Sequence, residues 1–205
     1  MRNVQRLSAG ALALVLAGTT ALAGVETYQI DTGHSSVEFK IRHLVAKTGG
    51  RFEKFTGTVE VDPGNLAATK VTAVIETGSL NTAQADRDNH LRSAEFFNVQ
   101  KFPEMKFEST GYTPSGKETG TLKGKLTLLG VTKPVELEVE VLGFAPDPWG
   151  GYRGGFSAHT TINRKEFGMV WNKTLDQGGF VLGDEVEIRI ELETKRKKAA
   201  DAAQD

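Results

Sequence analysis

Most of this chain alternates apolar and polar residues one for one, and that rhythm limits its possible folds more than any other feature. Val135, Leu137, Val139 and Val141 are separated by Glu136, Glu138 and Glu140, and Val186, Ile188, Ile190 and Leu192 by Glu187, Arg189 and Glu191. Successive side chains of an extended chain point to opposite faces, so each run is a strand with one apolar and one wet face. The same reading holds for Val37, Phe39, Ile41 and His43 against Glu38, Lys40 and Arg42.

Further runs keep this parity. Phe55, Gly57, Val59 and Val61 share a face, as do Val71, Ala73 and Ile75, then Met105 and Phe107. Leu122, Gly124, Leu126 and Leu128 follow, and later Phe156, Ala158, Thr160 and Ile162. Gly49-Gly50 and Asp62-Pro63-Gly64 read as turns between runs.

About eight strands result, with no helix long enough to cover them, so the apolar faces must cover one another in a barrel or a sandwich. Several runs approach about ten residues, above the usual five or six, which suits tilted barrel staves. Small residues at inward positions, Gly57, Ala73, Gly124 and Ala158, leave room inside. The expected fold is all-β, an extended eight-stranded antiparallel barrel whose lumen is deep, dry and apolar.

One long stretch departs from the rhythm. Asp86 to Phe107 opens with Asp86, Arg87, Asp88, His90 and Arg92, then concentrates Phe96, Phe97, Phe102 and Phe107, four of the eleven phenylalanines. Leu91, Ala94 and Phe97 recur at helical spacing, which predicts a short helical segment near residues 83–97 with its charged side outward. The segment reads as a lid laying aromatic rings over an open barrel end.

The ends lie outside this pattern. Arg2 and Arg6 precede an apolar run from Leu7 to Ala17, and Ala21-Leu22-Ala23 supplies a small-residue cleavage site, so residues 1–23 read as a secretory signal peptide. A membrane span needs about 20 apolar residues, more than this run offers. The domain is expected over 24–195, followed by a charged, Ala-rich tail over 196–205 with no apolar face to bury.

The chain contains no cysteine, which excludes disulfides, thiolate metal sites, thiol catalysis and a lipoprotein-type anchor cysteine. Export without these features points to a bacterial periplasm or the medium. Net charge is −1, and no basic face calls for nucleic acid.

Asp31, His34 and Ser35 have hydrolase residue types but fall within five residues of extended chain, so they point to alternating sides; turn capping and a strand start account for them. His34, His43, His90 and His159 lack metal-ligand spacing, and no metal or other cofactor is expected. His43 continues the inward parity to its strand's end, where it either meets a ligand's polar head beside Arg87, Asp88 and His90 or sits in a structural hydrogen-bond network. Asn163-Arg164, Phe167, Met169 and Trp171 either close the barrel end or form a ligand-contacting rim.

Several motifs occur together in order. They are Tyr28-x-Ile30-Asp31-x-x-His34-Ser35, Phe39-x-Ile41-Arg42-His43-Leu44, Arg87-Asp88-x-His90-Leu91, Phe96-Phe97, Lys101-Phe102-Pro103, Gly130 to Pro134, Asp147 to Gly150 with Arg153, and Asn163-Arg164-x-x-Phe167-Gly168. Over residues 26 to 194 this set resembles the YceI-like family of polyisoprenoid-binding proteins. The resemblance implies a lipocalin-like barrel whose apolar tunnel takes an isoprenoid chain, without catalysis, in an exported bacterial protein that is often a homodimer. The partner it implies is a long-chain isoprenoid lipid, and a protein carrying such a lipid is expected to touch a membrane transiently.

Parity and position then give the expected site. The tunnel is assigned to Val37, Phe39, Ile41, Val59, Val71, Ala73, Ile75, Leu91, Phe96, Phe97, Phe102, Met105, Phe107, Leu126, Leu128, Leu137, Val139, Phe156, Ala158, Ile162, Phe167, Met169 and Trp171. The polar mouth is assigned to His43, Arg87, Asp88, His90, Asn163 and Arg164. Two other readings stay open on sequence alone. One is a lipid isomerase or hydrolase using the mouth histidines with Asp88; the other is an adhesion or scaffold sandwich with a filled core.

Overall fold

The alternating runs become strands in a computed structural model, which describes residues 24–176 and 178–197; the expected signal peptide, 1–23, and residues 198–205 of the expected tail lie outside them. The strands are β1 (Glu26–Ile30), β2 (Ser36–His43), β3 (Ala46–Phe52), β4 (Phe55–Asp62), β5 (Asn65–Glu76), β6 (Leu80–Asn81), β7 (Glu104–Pro114), β8 (Thr119–Leu128), β9 (Val131–Pro146), β10 (Tyr152–Asn163) and β11 (Leu182–Arg196). One helix, α1 (Ala85–Arg92), lies between β6 and β7.

These strands form eight antiparallel staves and close on themselves. The order is β1-β4-β5-β7-β8-β9-β10-β11, with β11 pairing back onto β1. β11 also pairs with β2, Ile190 opposite Val37 and Ile188 opposite Phe39, while Thr194 faces Ile30 on β1. Thus β1 and β2 are halves of one stave, and β3 and β4 are halves of the next. Closure removes the exposed edges that an open sheet would present.

The break between β1 and β2 is held locally. Asp31 accepts from the Gly33 amide at 3.2 Å, and the Ser35 hydroxyl donates to the Asp31 carbonyl at 2.8 Å while accepting from the Glu193 amide at 3.0 Å. Those bonds replace ladder bonds lost where the stave bends.

The turn expected at Gly49-Gly50 is instead made by Leu44 and Val45. Leu44 takes a φ of 51°. Gly49 and Gly50 are strand residues opposite Lys40 and Phe39. Glycine is needed at 50 for another reason: a Cβ there would stand 2.7 Å from the Asn81 carbonyl and from Thr82 Cγ2, where the lid segment crosses β3.

Two of the small inward residues do not leave space. A Cβ on Gly124 would meet the Phe107 ring at 2.4 Å, and one on Gly57 would meet Ile30 Cδ1 at 2.9 Å, so neighbouring side chains already fill both positions. Arg196 and Lys197, assigned to the tail, are instead bonded to the barrel. Lys195 and Arg196 pair with Gln29 and Tyr28, and Arg196 lies 4.5 Å from the Tyr152 ring centroid. The Lys197 amide donates to the Thr27 carbonyl at 2.8 Å.

β5 and β7 are neighbours, Glu76 opposite Glu104, so residues 77–103 form an excursion from a single hairpin. That end of the barrel also carries the β2–β3 turn, the β8–β9 turn and the β10–β11 connection. The helix is shorter than the Leu91, Ala94, Phe97 spacing suggests. Ser93 ends it in an extended conformation, and Asn98 at φ 45° turns the chain again, so Phe96 and Phe97 become buried from turns rather than from a helix face.

Nor does the helix hold all its charges in water. Asp88 is buried and accepts from the Thr82 amide at 2.9 Å and from the Thr82 hydroxyl at 2.5 Å. Arg87 donates to the Thr82 hydroxyl and carbonyl, and Arg92 to the Gly78 and Leu80 carbonyls. These charges fasten the lid to the strand it leaves, satisfying backbone groups that have no ladder partner.

Candidate ligand-binding cavity

The inward faces of all eight staves surround a cavity of about 220 Å³, closed at one end by Leu91 and Phe97 of the lid. Its lining is almost wholly aliphatic and aromatic. Protein interiors are ordinarily close-packed, so apolar faces that leave such a space forgo contacts that packing would supply. A filled sandwich core is therefore not what these faces form.

Every expected tunnel residue lines this cavity except four. Phe96 and Trp171 line a second pocket instead. Phe102 packs outside the lumen, its Cε1 2.9 Å from where a Cβ on Gly130 would stand, and Phe167 is buried in the core beside the lumen. Ala73 and Ala158 do face the void.

Other lining residues were absent from the expected set. Leu122, Val135, Val141, Val186, Ile188, Ile190 and Leu192 share the inward parity and were legible by that signal. Tyr112 was not, because a bulge between Ser109 and Gly111 shifts the register of β7 and turns an outward parity inward. Its ring lies over Gly120, and its hydroxyl is buried with no hydrogen-bond partner among the described residues. Burial pushes its pKa up.

The second pocket, about 160 Å³, shares Phe39, Ile41 and Leu91 with the first and adds polar groups. His43, Arg87 and His90 line it, with Thr48 and Thr82. His90 stands edge-on to Phe96 and to Trp171, ring centroids 5.0 Å apart in both pairs, and Phe96 and Trp171 are 5.1 Å apart. His90 Nε2 lies 2.5 Å from a Glu95 carboxylate oxygen, which fixes the ring. An apolar lumen and an aromatic, partly polar antechamber thus share the wall made by Phe39, Ile41 and Leu91.

Three expected mouth residues have other positions. Asp88 is committed to Thr82, which leaves the antechamber without the carboxylate that the hydrolase reading assigned to it. Asn163 caps the turn after β10, accepting from the Lys165 amide at 3.0 Å. Arg164 is 1% exposed and lies in the lumen wall, donating from Nη1 to the Met169 and Trp171 carbonyls at 2.7 and 2.8 Å and from Nε to the Gly183 carbonyl at 2.9 Å. Burial pushes its pKa down, opposed by Asp184.

Away from the lumen, Arg153 joins Asp31 at 2.7 Å, Asp147 at 2.9 Å and Glu193 at 2.6 Å, and Lys195 meets Asp31 at 2.8 Å. Asp31, His34 and Glu193 could in composition ligate a metal, but the chain's own cations already occupy the two carboxylates. The cluster ties β1, the β9–β10 turn and β11 together.

A closed eight-stave barrel with an apolar lumen, a lid and an antechamber defines a class of small-molecule-sized pocket proteins of lipocalin-like architecture. Within it, residues 28–194 match the YceI-like domain model, and the chain belongs to that family. It is 44% identical over 183 residues to Protein YceI of Salmonella arizonae, covering 88% of this chain and 92% of that one. Among solved structures it is similar to Burkholderia cenocepacia BcnA, with TM-score 0.71, 23% identity, and 80% and 98% of the two chains covered. It is also similar to a polyisoprenoid binding domain from Saccharophagus degradans implicated in plant cell wall breakdown, with TM-score 0.61, 14% identity, and 84% and 99% covered.

Proposed function

We propose that this protein binds and carries a long-chain isoprenoid lipid, of polyprenyl or quinone type, in the bacterial periplasm, without chemically altering it. The observation that carries this reading is the apolar cavity itself, lined from every stave. A polyprenyl tail is a flexible hydrocarbon whose burial gains roughly 25 cal/mol per Å² and demands few hydrogen bonds. The Saccharophagus degradans domain, described as polyisoprenoid-binding, supports the same reading.

The tail occupies the lumen and the head group the antechamber. There the His90, Phe96 and Trp171 rings offer faces and edges to a planar or unsaturated head, and His43 and Arg87 offer donors to its oxygens. Arg87 Nε and Nη2 are already engaged by Thr82, so the guanidinium is held in place before any ligand arrives.

Native mass spectrometry of the gently purified protein, followed by organic extraction, tests this. A co-purifying polyprenyl lipid, or stoichiometric uptake of added solanesol by the delipidated protein, is the expected result. A ligand-free protein that also refuses solanesol would overturn it.

A further inference from the structure

Among the described residues, eight large apolar side chains are exposed, and five of them, Leu44, Val45, Val170, Leu175 and Phe180, sit on loops at the lid end. Their placement follows the antechamber. His43, Trp171 and Val181 line that pocket, and Leu44, Val170 and Phe180 are their immediate neighbours in sequence. In each pair one side chain faces the pocket and the next is exposed, so the mouth is rimmed by apolar groups.

The rim is held as one surface. The Leu44 amide donates to the Val181 carbonyl at 2.8 Å, joining the β2–β3 turn to the β10–β11 connection. Leu44 adopts φ 51°, a conformation in which glycine or asparagine is the usual choice. Val45 beside it is 98% exposed and packs against nothing. A turn that selected for backbone comfort would not carry leucine at 44.

We propose that this lid-end rim is a membrane-docking surface that inserts its apolar tips into a phospholipid bilayer and aligns the antechamber with the lipid it takes up or delivers. The inference rests on the lipid-carrier reading for its purpose, but not for its test. A bilayer fits better than a second copy, since five apolar tips protruding singly from two connections do not make the contiguous, close-packed apolar core of a protein interface. Basic side chains border the tips, with Lys165 Nζ 5.5 Å from the Phe180 ring centroid, the arrangement found at membrane interfaces. Asp184 and Glu187 pair with Lys165 and Lys47, so apolar insertion rather than net charge supplies the attraction.

The test uses the double variant Val45→Asp with Phe180→Asp, and Trp149→Asp as a control at the opposite end, where Trp149 is 82% exposed. Flotation with isoprenoid-free phosphatidylethanolamine and phosphatidylglycerol vesicles reads docking alone. The parent and the Trp149 variant are expected to float equally, with little change in high salt, and the double variant at least tenfold less. Solanesol delivered in detergent micelles is expected to load all three equally, whereas extraction of solanesol from vesicles falls at least tenfold in the double variant.

A parent that does not float, or a double variant that floats and extracts like the parent, overturns the proposal. So does loss of flotation in the Trp149 variant alone, or a concentration-dependent parental dimer that the double variant abolishes, which would make the rim a self-interface. Flotation without loading in any format would instead leave docking standing and remove the lipid-carrier reading.

Discussion

The ring of Phe107 lies against Gly124 so closely that a Cβ on residue 124 would stand 2.4 Å from Phe107 Cζ and 2.8 Å from the Glu108 carbonyl. The glycine sets the angle at which an aromatic wall residue leans along the barrel, leaving the space in front of it open. Gly124→Ala is expected to force the ring into the lumen, destabilising the fold by about 1–3 kcal/mol and reducing solanesol uptake. Denaturant titration and loading stoichiometry measure the two effects.

Ala158 faces the void directly. Ala158→Phe should fill it, so stability is expected to change by less than about 1.5 kcal/mol while solanesol uptake falls at least tenfold. Stability loss without loss of uptake would place the ligand elsewhere.

Arg164 holds the carbonyls of Met169, Trp171 and Gly183 from one guanidinium. Arg164→Met orphans all three, and a loss of about 3 kcal/mol is expected. Hydrogen exchange should quicken first at residues 168–172, on the antechamber's aromatic side, before the staves open.

The Asp31 carboxyl is held well below the usual carboxylate range, first by Lys195, with Arg153 and His34 adding and burial opposing. Arg153 likewise lowers Asp147. A depressed folded pKa contributes stability that is fully present above the unfolded value near 4 and is lost as pH falls through the folded value. Thermal stability is therefore expected to drop below about pH 4. Asp31→Asn should flatten that limb and lower Tm at neutral pH by about 2–4 °C for each kcal/mol lost, as followed by circular dichroism.

Stave parity was readable because each strand is long and half-buried, so Val37 through Ile41 and Val186 through Leu192 announce their inner faces without help from context. What escaped depends on events between strands. The β7 bulge reverses Tyr112, and Gly124 looks like a gap until Phe107 is seen across the ladder. The lid misled for a related reason: Leu91, Ala94 and Phe97 have helical spacing, but Ser93 stops the helix, and Asp88 and Arg92 answer to backbone groups at 78–82 that no local pattern reveals. Arg164 and Asn163 read as either closing the barrel end or rimming the ligand, since a polar residue after a strand reads alike whether it meets solvent or backbone; both are bound to backbone groups.

Because residues 77–103 leave the ladder between paired Glu76 and Glu104, and touch the sheet only where the two-residue β6 pairs with β3, the cap is a graft on one hairpin on which the register of the staves does not depend. Its length and chemistry can drift, or be exchanged by design, while the staves keep their alignment. On the proposed carrier reading, the end of the site that meets the head group can thus evolve separately from the vessel that holds the tail.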